Sequence, residues 1–329
     1  MKSIRVLMIT TEYPSEENAI SGIFVAREVN LLRLAGIDLE VFVFRGKKRL
    51  VNYIRAWVQV HALLKHEHFD LIHAQFGQSG LPALFPKLKP LVISFRGSDV
   101  EGIVNKKGKY TFLGRVLQKI SRYTASRADE CIVVSDRLTN KLPPRKYHII
   151  PSGIDLDLFK PAPQVKMKEI LGLTEEKRYI LFGGNPAAPV KRYGLALKVL
   201  NLVQEHFHNV ELLTLRDVPH EEMPVFINAC DLLLLTSRHE GCPNIVKEAL
   251  ACNLPIVSTD VGDVKDRIGE IEGCIVCESD DAEVISEAVI QVLRRGKRIQ
   301  GRDQVCDLDE KFVARKIIDV YTLAIAQKH

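Results

Sequence analysis

Short apolar runs rich in β-branched residues alternate along the chain with longer stretches in which apolar positions recur every three or four residues. The short runs read as strands and the longer ones as helices with one buried face. Strands are predicted at 4–10 (IRVLMIT), 39–44, 70–74, 90–95, 130–134 and 147–150. A second series follows at 179–183, 209–215, 231–236, 255–258 and 273–277. This alternation implies an α/β protein built from parallel units, and two doubly wound sheets in tandem fit it better than one. Residues 151–163 (PSGIDLDLFKPAP) break the pattern with three prolines and a glycine. They divide the chain into domains 1–160 and 161–329, with a last helix near 309–326 that can pack back on the first. Open sheets of this kind bind ligands at the carboxyl ends of their strands. A helix over 52–66 gathers Ile54, Trp57, Val58, Ala62 and Leu64 near one stripe, which is expected to cover the first sheet. Its tryptophan and flanking basic residues leave a bilayer edge as the other reading.

A chain of 329 residues, 46% hydrophobic and 26% charged, suits two ordinary domains and argues against global disorder. No apolar run reaches the ~18–20 residues of a membrane span, and the opening MKSIRVLMITTEYP carries charges, so a cleaved signal peptide is disfavoured. Seven scattered cysteines suggest reduced thiols and a cytoplasmic setting; Cys274-x-x-Cys277 stands alone and cannot complete a zinc shell. Charge is divided unevenly. Residues 1–160 hold 25 Lys+Arg against 15 Asp+Glu, and residues 161–329 hold 21 against 26. The basic first half, densest at Arg45, Lys47, Lys48, Arg49 and Arg55 and again at Lys106, Lys107, Lys109, Arg115, Lys119 and Arg122, suits an anionic partner such as a phosphorylated substrate or an acidic membrane surface. Nucleic acid is not expected, since no recognition motif accompanies the charge.

The chemistry concentrates after the run DLLLLT, in Ser237-Arg238-His239-Glu240-Gly241-Cys242-Pro243-Asn244-Ile245-Val246-Lys247-Glu248. Pro243 fits the first turn of a helix. Glu240 and Gly241 then occupy a strand-to-helix turn, Glu248 falls in the second helical turn, and the backbone N–H groups of Asn244 and Ile245 form an anion site. A phosphate between two carboxylates that accept sugar hydroxyls fits this pattern. Asp155-x-Asp157 lies in the interdomain segment and is not expected to bind metal. Ser21-Gly22-Ile23-Phe24 opens a helix without the GxGxxG fingerprint of a dinucleotide-dependent oxidoreductase.

Glu240-x7-Glu248 followed by EALACNLPIVSTDVGDVKD resembles the retaining glycosyltransferases of family 4. IHAQFGQSG (72–80), ISFRGSDV (93–100), IVVSDRL (132–138), IIPSGIDLDLFKP (149–161) and FVARKIIDVY (312–321) match that family's landmarks in order. GGNPAAPVKRY (183–193) and the CPN turn resemble enzymes of bacterial surface polysaccharides, such as teichuronic acid. The resemblance implies the GT-B fold, two Rossmann-like domains facing a central cleft, and a metal-independent enzyme that needs no cofactor. It implies a nucleotide-diphospho-sugar donor and a glycan or lipid-linked acceptor handled at the inner membrane face. Glu248 would take the ribose hydroxyls, while Glu240 with Gly241, Cys242, Pro243, Asn244 and Ile245 would hold the donor sugar. Gly22, Gly184, Lys191 and Arg192 would meet the diphosphate; Asn185 stands where relatives carry Arg. The base would lie near Asp217 and Val218. Arg96 replaces the His of many relatives and is assigned a catalytic-site binding role in preference to an ion pair with Asp99, with Asp99 and Gln75 on the acceptor side. Retention by front-face attack is implied. A sugar-nucleotide epimerase, a phosphorylase on the same fold and an inactive transferase-like subunit are the alternatives.

Overall fold

Each apolar run forms a strand in the computed structural model, which describes residues 3–16, 21–45, 50–105, 108–215 and 218–327. The first sheet contains β1 (Arg5–Thr10), β2 (Asp38–Val43), β3 (Leu71–Gln75), β4 (Leu91–Phe95), β5 (Glu130–Val133) and β6 (His148–Ile149) in the order β2-β1-β3-β4-β5-β6. All its pairs are parallel; Val6 lies beside Leu39 on one side and Leu71 on the other. Helices α1 (Ile23–Leu34), α2 (Leu50–His66), α3 (Ser98–Glu101) and α4 (Phe112–Arg127) make crossovers of this sheet. The second sheet contains β7 (Arg178–Phe182), β8 (Val210–Thr214), β9 (Leu232–Leu235), β10 (Ile256–Thr259) and β11 (Ile275–Cys277) in the order β11-β10-β9-β7-β8, again parallel. Its helices are α5 (Gln164–Ile170), α6 (Tyr193–Gln204), α7 (Met223–Ala229), α8 (Asn244–Ala251), α9 (Val264–Ile268) and α10 (Ala282–Arg295). Parallel strands need long crossovers, so helix-length segments between apolar runs dictate this architecture.

The chain forms two compact units. Unit 1 is Met1–Ile103, Tyr110–Gly153 and Glu310–His329, and unit 2 is Val104–Lys109 and Ile154–Asp309. The main boundary therefore falls before Ile154 and not after residue 160. Ile154 donates its N–H to the Leu308 carbonyl, and Ile154 and Phe159 are buried in the unit 2 core. The closing helix α11 (Glu310–Ala326) belongs to unit 1. Val313, Ala314, Ile317, Val320, Tyr321 and Ala324 make its buried stripe and join one core with Val25, Val29 and Leu32 of α1.

Helix α2 departs from the sequence reading. Only Ala56, Val60 and His61 are buried on it, while Ile54, Trp57 and Val58 are exposed, and Ala62 is exposed with Leu64 half-buried. The anchor is polar as well as apolar: the His61 ring bonds the Trp57 and Pro86 carbonyls, and Trp57 Nε1 donates to the Phe85 carbonyl. Its predicted sheet-covering stripe faces away from the core.

Ile317 is almost fully buried, and Ile317→Ala should lower the stability of unit 1 by about 2–5 kcal/mol. The single tryptophan, Trp57, lies in unit 1, so urea titration followed by its fluorescence reads this change.

Candidate active site

The loop after β7 is shaped by a glycine and a lysine. A Cβ on Gly184 would lie 2.6 Å from Cδ of Lys191, so glycine leaves the passage through which the lysine stem runs. Lys191 Nζ pairs with the Glu240 carboxylate, and both side chains are largely buried. This loop is fastened to the end of β9. Thr236 Oγ1 donates to the Lys191 carbonyl at 2.9 Å, and Arg238 N–H donates to the Val190 carbonyl at 2.8 Å. Arg192 adopts the left-handed conformation, φ 53°, and sends its guanidinium to the carbonyls of Thr236 (2.6 Å) and Ser237 (2.9 Å) and to Asp280. Those bonds make Arg192 a latch between the loop after β7 and the end of β9. Asn185 is exposed, and its Oδ1 accepts the Ala187 N–H at 2.9 Å, closing a local turn.

Glu240 and Gly241 lead into α8. Pro243 is the cap residue, one position before the first helical residue Asn244, so the proline lies outside the turn predicted to contain it. The first N–H groups of a helix lack intrahelical acceptors, which leaves those of Asn244 and Ile245 at the positive end of the α8 dipole. Gly241 is buried under the next loop; a Cβ on Gly262, φ 54°, would lie 2.6 Å from the Gly241 carbonyl oxygen. Cys242 Sγ donates to Asp263 Oδ2 at 3.2 Å, and burial pushes its thiol up to about 11, so it is protonated at neutral pH. Glu248 sits in the second turn of α8, largely buried, beside the fully buried Lys247, whose ammonium burial pulls below its usual value. Val218 is half-buried in the loop after β8; Asp217 lies outside the described residues. Asp155 accepts the N–H groups of Asp157 and Leu158, which makes Asp155-x-Asp157 a turn.

In unit 1, Arg96 follows β4 and is 7% exposed at its side chain. Its Nη2 donates to Glu28 Oε2 at 2.5 Å and to Gln75 Oε1 at 2.6 Å, Nε donates to the same Gln75 oxygen at 2.9 Å, and Nη1 reaches Ser152 Oγ at 3.2 Å. The carboxylate that neutralises it is Glu28. Asp99 instead accepts the backbone N–H groups of Gly77, Arg96 and Gly97. Asp99 and Gln75 are both buried to 1% or less, so they brace the turn after β4 and the Arg96 guanidinium and offer no surface to an acceptor. Burial would raise the Glu28 carboxyl, but Arg96 and the hydrogen bonds from Arg96 and Gln75 outweigh it and hold Glu28 below its ordinary value. Glu28 was legible as an anomaly, since it falls on the apolar stripe Val25-Val29-Leu32 of α1. A second buried chain lies close by: the His73 ring bonds Tyr321 Oη at 2.6 Å and Ser94 Oγ at 2.8 Å. Burial pulls His73 down to about 4, so the ring is neutral at pH 7.

Gly22 caps α1 at φ 67°, and its close approach is to the chain itself: a Cβ there would lie 2.5 Å from the Glu12 carbonyl. Glu12 and Tyr13 help line a cavity of about 940 Å³ in unit 1, whose walls include Tyr53, Leu81, Leu113, Val116 and Ile120, with Arg45 at its polar side. Burial, then the Asp99 charge, raises the Glu12 carboxyl. Glu12 was not singled out from the sequence, although its place just beyond the carboxyl end of β1 is where such folds put ligands.

Residues 3–158 match the model of Glycosyltransferase Family 4, and residues 159–295 match that of Glycosyl transferases group 1. The chain belongs to the family 4 glycosyltransferases. TuaC of Bacillus subtilis (strain 168), a glycosyltransferase named for teichuronic acid biosynthesis, is 24% identical over 87% of this glycosyltransferase and 88% of its own length. A D-inositol 3-phosphate glycosyltransferase of Thermobispora bispora is 18% identical over 85% and 77% of the two chains. Sucrose-phosphate synthase from Thermosynechococcus elongatus superposes with a TM-score of 0.80 over 99% of this chain and 100% of its own, at 17% identity. Anabaena HepE, solved in complex with UDP and glucose, gives 0.69 over 98% and 100%, at 14% identity. The glycosyltransferase thus has the GT-B type of fold, with two parallel sheets.

Two outcomes are expected of the glycosyltransferase. Gly22→Ala should destabilise unit 1 by at least about 1–2 kcal/mol from the left-handed backbone alone, seen as a lower urea midpoint in Trp57 fluorescence. In the second, His73 binds its proton at about pH 4 when folded and at about 6.5 when unfolded, so the unfolded chain holds more protons between those values. Stability from this group is therefore complete above pH 6.5 and is lost as pH falls towards 4; His73→Asn should flatten that part of a urea-midpoint-against-pH profile.

Proposed function

We propose that the protein is a retaining glycosyltransferase that moves a sugar from a nucleotide-diphospho-sugar to a lipid-linked or glycan acceptor in cell-surface polysaccharide synthesis. The observation that carries this reading is the Lys191–Glu240 pair beside the amino end of α8. A cation and a run of free helix N–H groups meet a carboxylate there, which is the chemistry an anionic diphosphate joined to a hydroxyl-rich sugar requires. The likeness to HepE, which binds UDP and glucose, and to TuaC, named for a surface polymer, supports it.

In this reading Lys191 exchanges Glu240 for the donor diphosphate, and the released Glu240 carboxylate accepts hydroxyls of the donor sugar. Backbone N–H groups at Asn244 and Ile245 take phosphate oxygens, and Glu248 takes the ribose. Val218 and Gly184 border the nucleotide through their backbone. The acceptor oxygen attacks the anomeric carbon on the face that the phosphate leaves. The carbon–phosphate-oxygen bond breaks with its electron pair on the phosphate, which takes the acceptor proton, and configuration is retained. The protein supplies orientation and stabilises the developing diphosphate charge through Lys191 and the α8 dipole, with no metal called for. Arg96 acts as a positioning residue through Glu28 and Gln75 and does not touch substrate. The unit 1 cavity suits the apolar portion of a lipid-linked acceptor. Seven free thiols suit a reducing, cytoplasmic compartment.

Thermal-shift titration with UDP, GDP, ADP and NAD tests the donor class. Protection by one nucleoside diphosphate is expected, and protection by NAD alone would overturn the reading. Lys191→Ala should weaken that diphosphate by about 10- to 100-fold, from the loss of a charge-assisted bond. Glu240→Gln, which keeps the size of the side chain beside Lys191, should lower kcat/KM with the matching donor by at least about 10²-fold.

A further inference from the structure

From the outward face of α2 and the cationic face of α4, we infer that unit 1 docks on the surface of an anionic phospholipid bilayer. The inference goes beyond the transfer reaction and does not depend on it. Leu50, Val51, Ile54, Trp57 and Val58 fall at i, i+1, i+4, i+7 and i+8 of α2, one helical stripe, and all are exposed, Leu50 to 76%. The buried residues Ala56 and Val60 lie on a different face, and His61 closes the carboxyl end of the stripe, buried and bonded to the Trp57 and Pro86 carbonyls, so the stripe is uncovered from Leu50 to Val58 while the Ala56–Val60 face has the core to cover it. Phe112, at the start of α4, is 85% exposed. The two helices border one another's surroundings. Leu50 and Tyr53 of α2 and Leu113, Val116 and Ile120 of α4 line the same cavity. At the other end, Trp57 bonds the Phe85 carbonyl while Arg127 of α4 stacks on the Phe85 ring at 5.7 Å.

Charge identifies the occupant. Neither α2 nor α4 contains an Asp or Glu. Arg115, Lys119 and Arg122 are exposed at i, i+4 and i+7 of α4, with Phe112 at the same end of the helix, and Arg55 is exposed on α2. An exposed apolar stripe with a tryptophan, accompanied by cations free of neighbouring carboxylates on the same helices, matches a layer that offers lipid phosphates outside and acyl chains just beneath. No helix among the described residues is long and apolar enough to cross a membrane, which leaves attachment at the surface as the mode.

Trp57 makes the test direct, because it is the only tryptophan in the chain and stands in the stripe. The full chain is mixed with vesicles of phosphatidylcholine alone or with vesicles in which phosphatidylglycerol supplies a negative surface potential of about −30 mV. Trp57 emission should shift to the blue and be quenched by brominated acyl chains only with the anionic vesicles, and sedimentation with them should weaken as salt rises. Ile54→Glu with Val58→Glu should abolish both signals, and Arg115→Glu with Lys119→Glu should weaken binding at least tenfold. The urea midpoints of both variants should stay near that of the parent, since all four side chains are outside the core. Absence of a Trp57 shift and of sedimentation at low salt would overturn the inference. So would a dimer in sedimentation velocity that Ile54→Glu dissociates, because a second copy would then cover the stripe, or binding to an acidic protein but not to vesicles.

Discussion

The geometry of the loop after β7 in unit 2 depends on one guanidinium. Arg192 binds the carbonyls of Thr236 and Ser237 and pairs with Asp280, tying the loop after β7 to the end of β9. Left-handed backbone at a residue with a side chain costs about 1–2 kcal/mol, and charge-assisted bonds to two carbonyls and a carboxylate offset it. The neighbouring lysine is fixed as a consequence. With Arg192 held and Gly184 leaving a gap, the Lys191 stem has one route, and its ammonium ends at Glu240. Two adjacent basic residues thus divide the work: one shapes the loop and the other pairs with Glu240.

Unit 1 solves a different problem, polar side chains inside a parallel sheet. His73 and Gln75 of β3 and Ser94 of β4 lie where an all-apolar strand would be cheaper, and each has a partner. A buried polar chain stabilises only when it is complete, since an orphaned member carries the full desolvation cost. Tyr321 completes the His73 end from α11, and Glu28 of α1 completes the Arg96 end. The closing helix therefore returns to unit 1 for hydrogen bonding as well as for its apolar stripe, and Arg27 adds an ion pair to Glu310 at its start.

The outward face of α2 follows from the same economy. Ala56 and Val60 make its inner face, and His61, one turn beyond Trp57 on the outward stripe, ties the end of the helix down through its bonds to two carbonyls. The bulky residues that periodicity assigns to a core, Ile54, Trp57 and Val58, were left over and meet solvent, while Leu50 and Tyr53 of the same helix line the cavity.

The sequence by itself determined the eleven strands found among the described residues, their parallel pairing and the two-sheet architecture, because apolar runs separated by helix-length segments permit few other arrangements. It also determined that Glu240-Gly241 leads into a helix with Glu248 in its second turn, from local periodicity, while Pro243 came to stand one position earlier than the capping rule placed it. What an arginine or a carboxylate touches is set by residues far along the chain, and only the tertiary structure decided it. Arg96 meets Glu28, not the neighbouring Asp99, because the loop backbone claims Asp99 first. Arg192 meets carbonyls at the end of the adjacent strand β9, Gly22 meets the Glu12 backbone, and α2 turns its larger apolar face outward. Periodicity shows that a helix has an apolar stripe; which stripe is covered depends on neighbours that the local pattern does not contain.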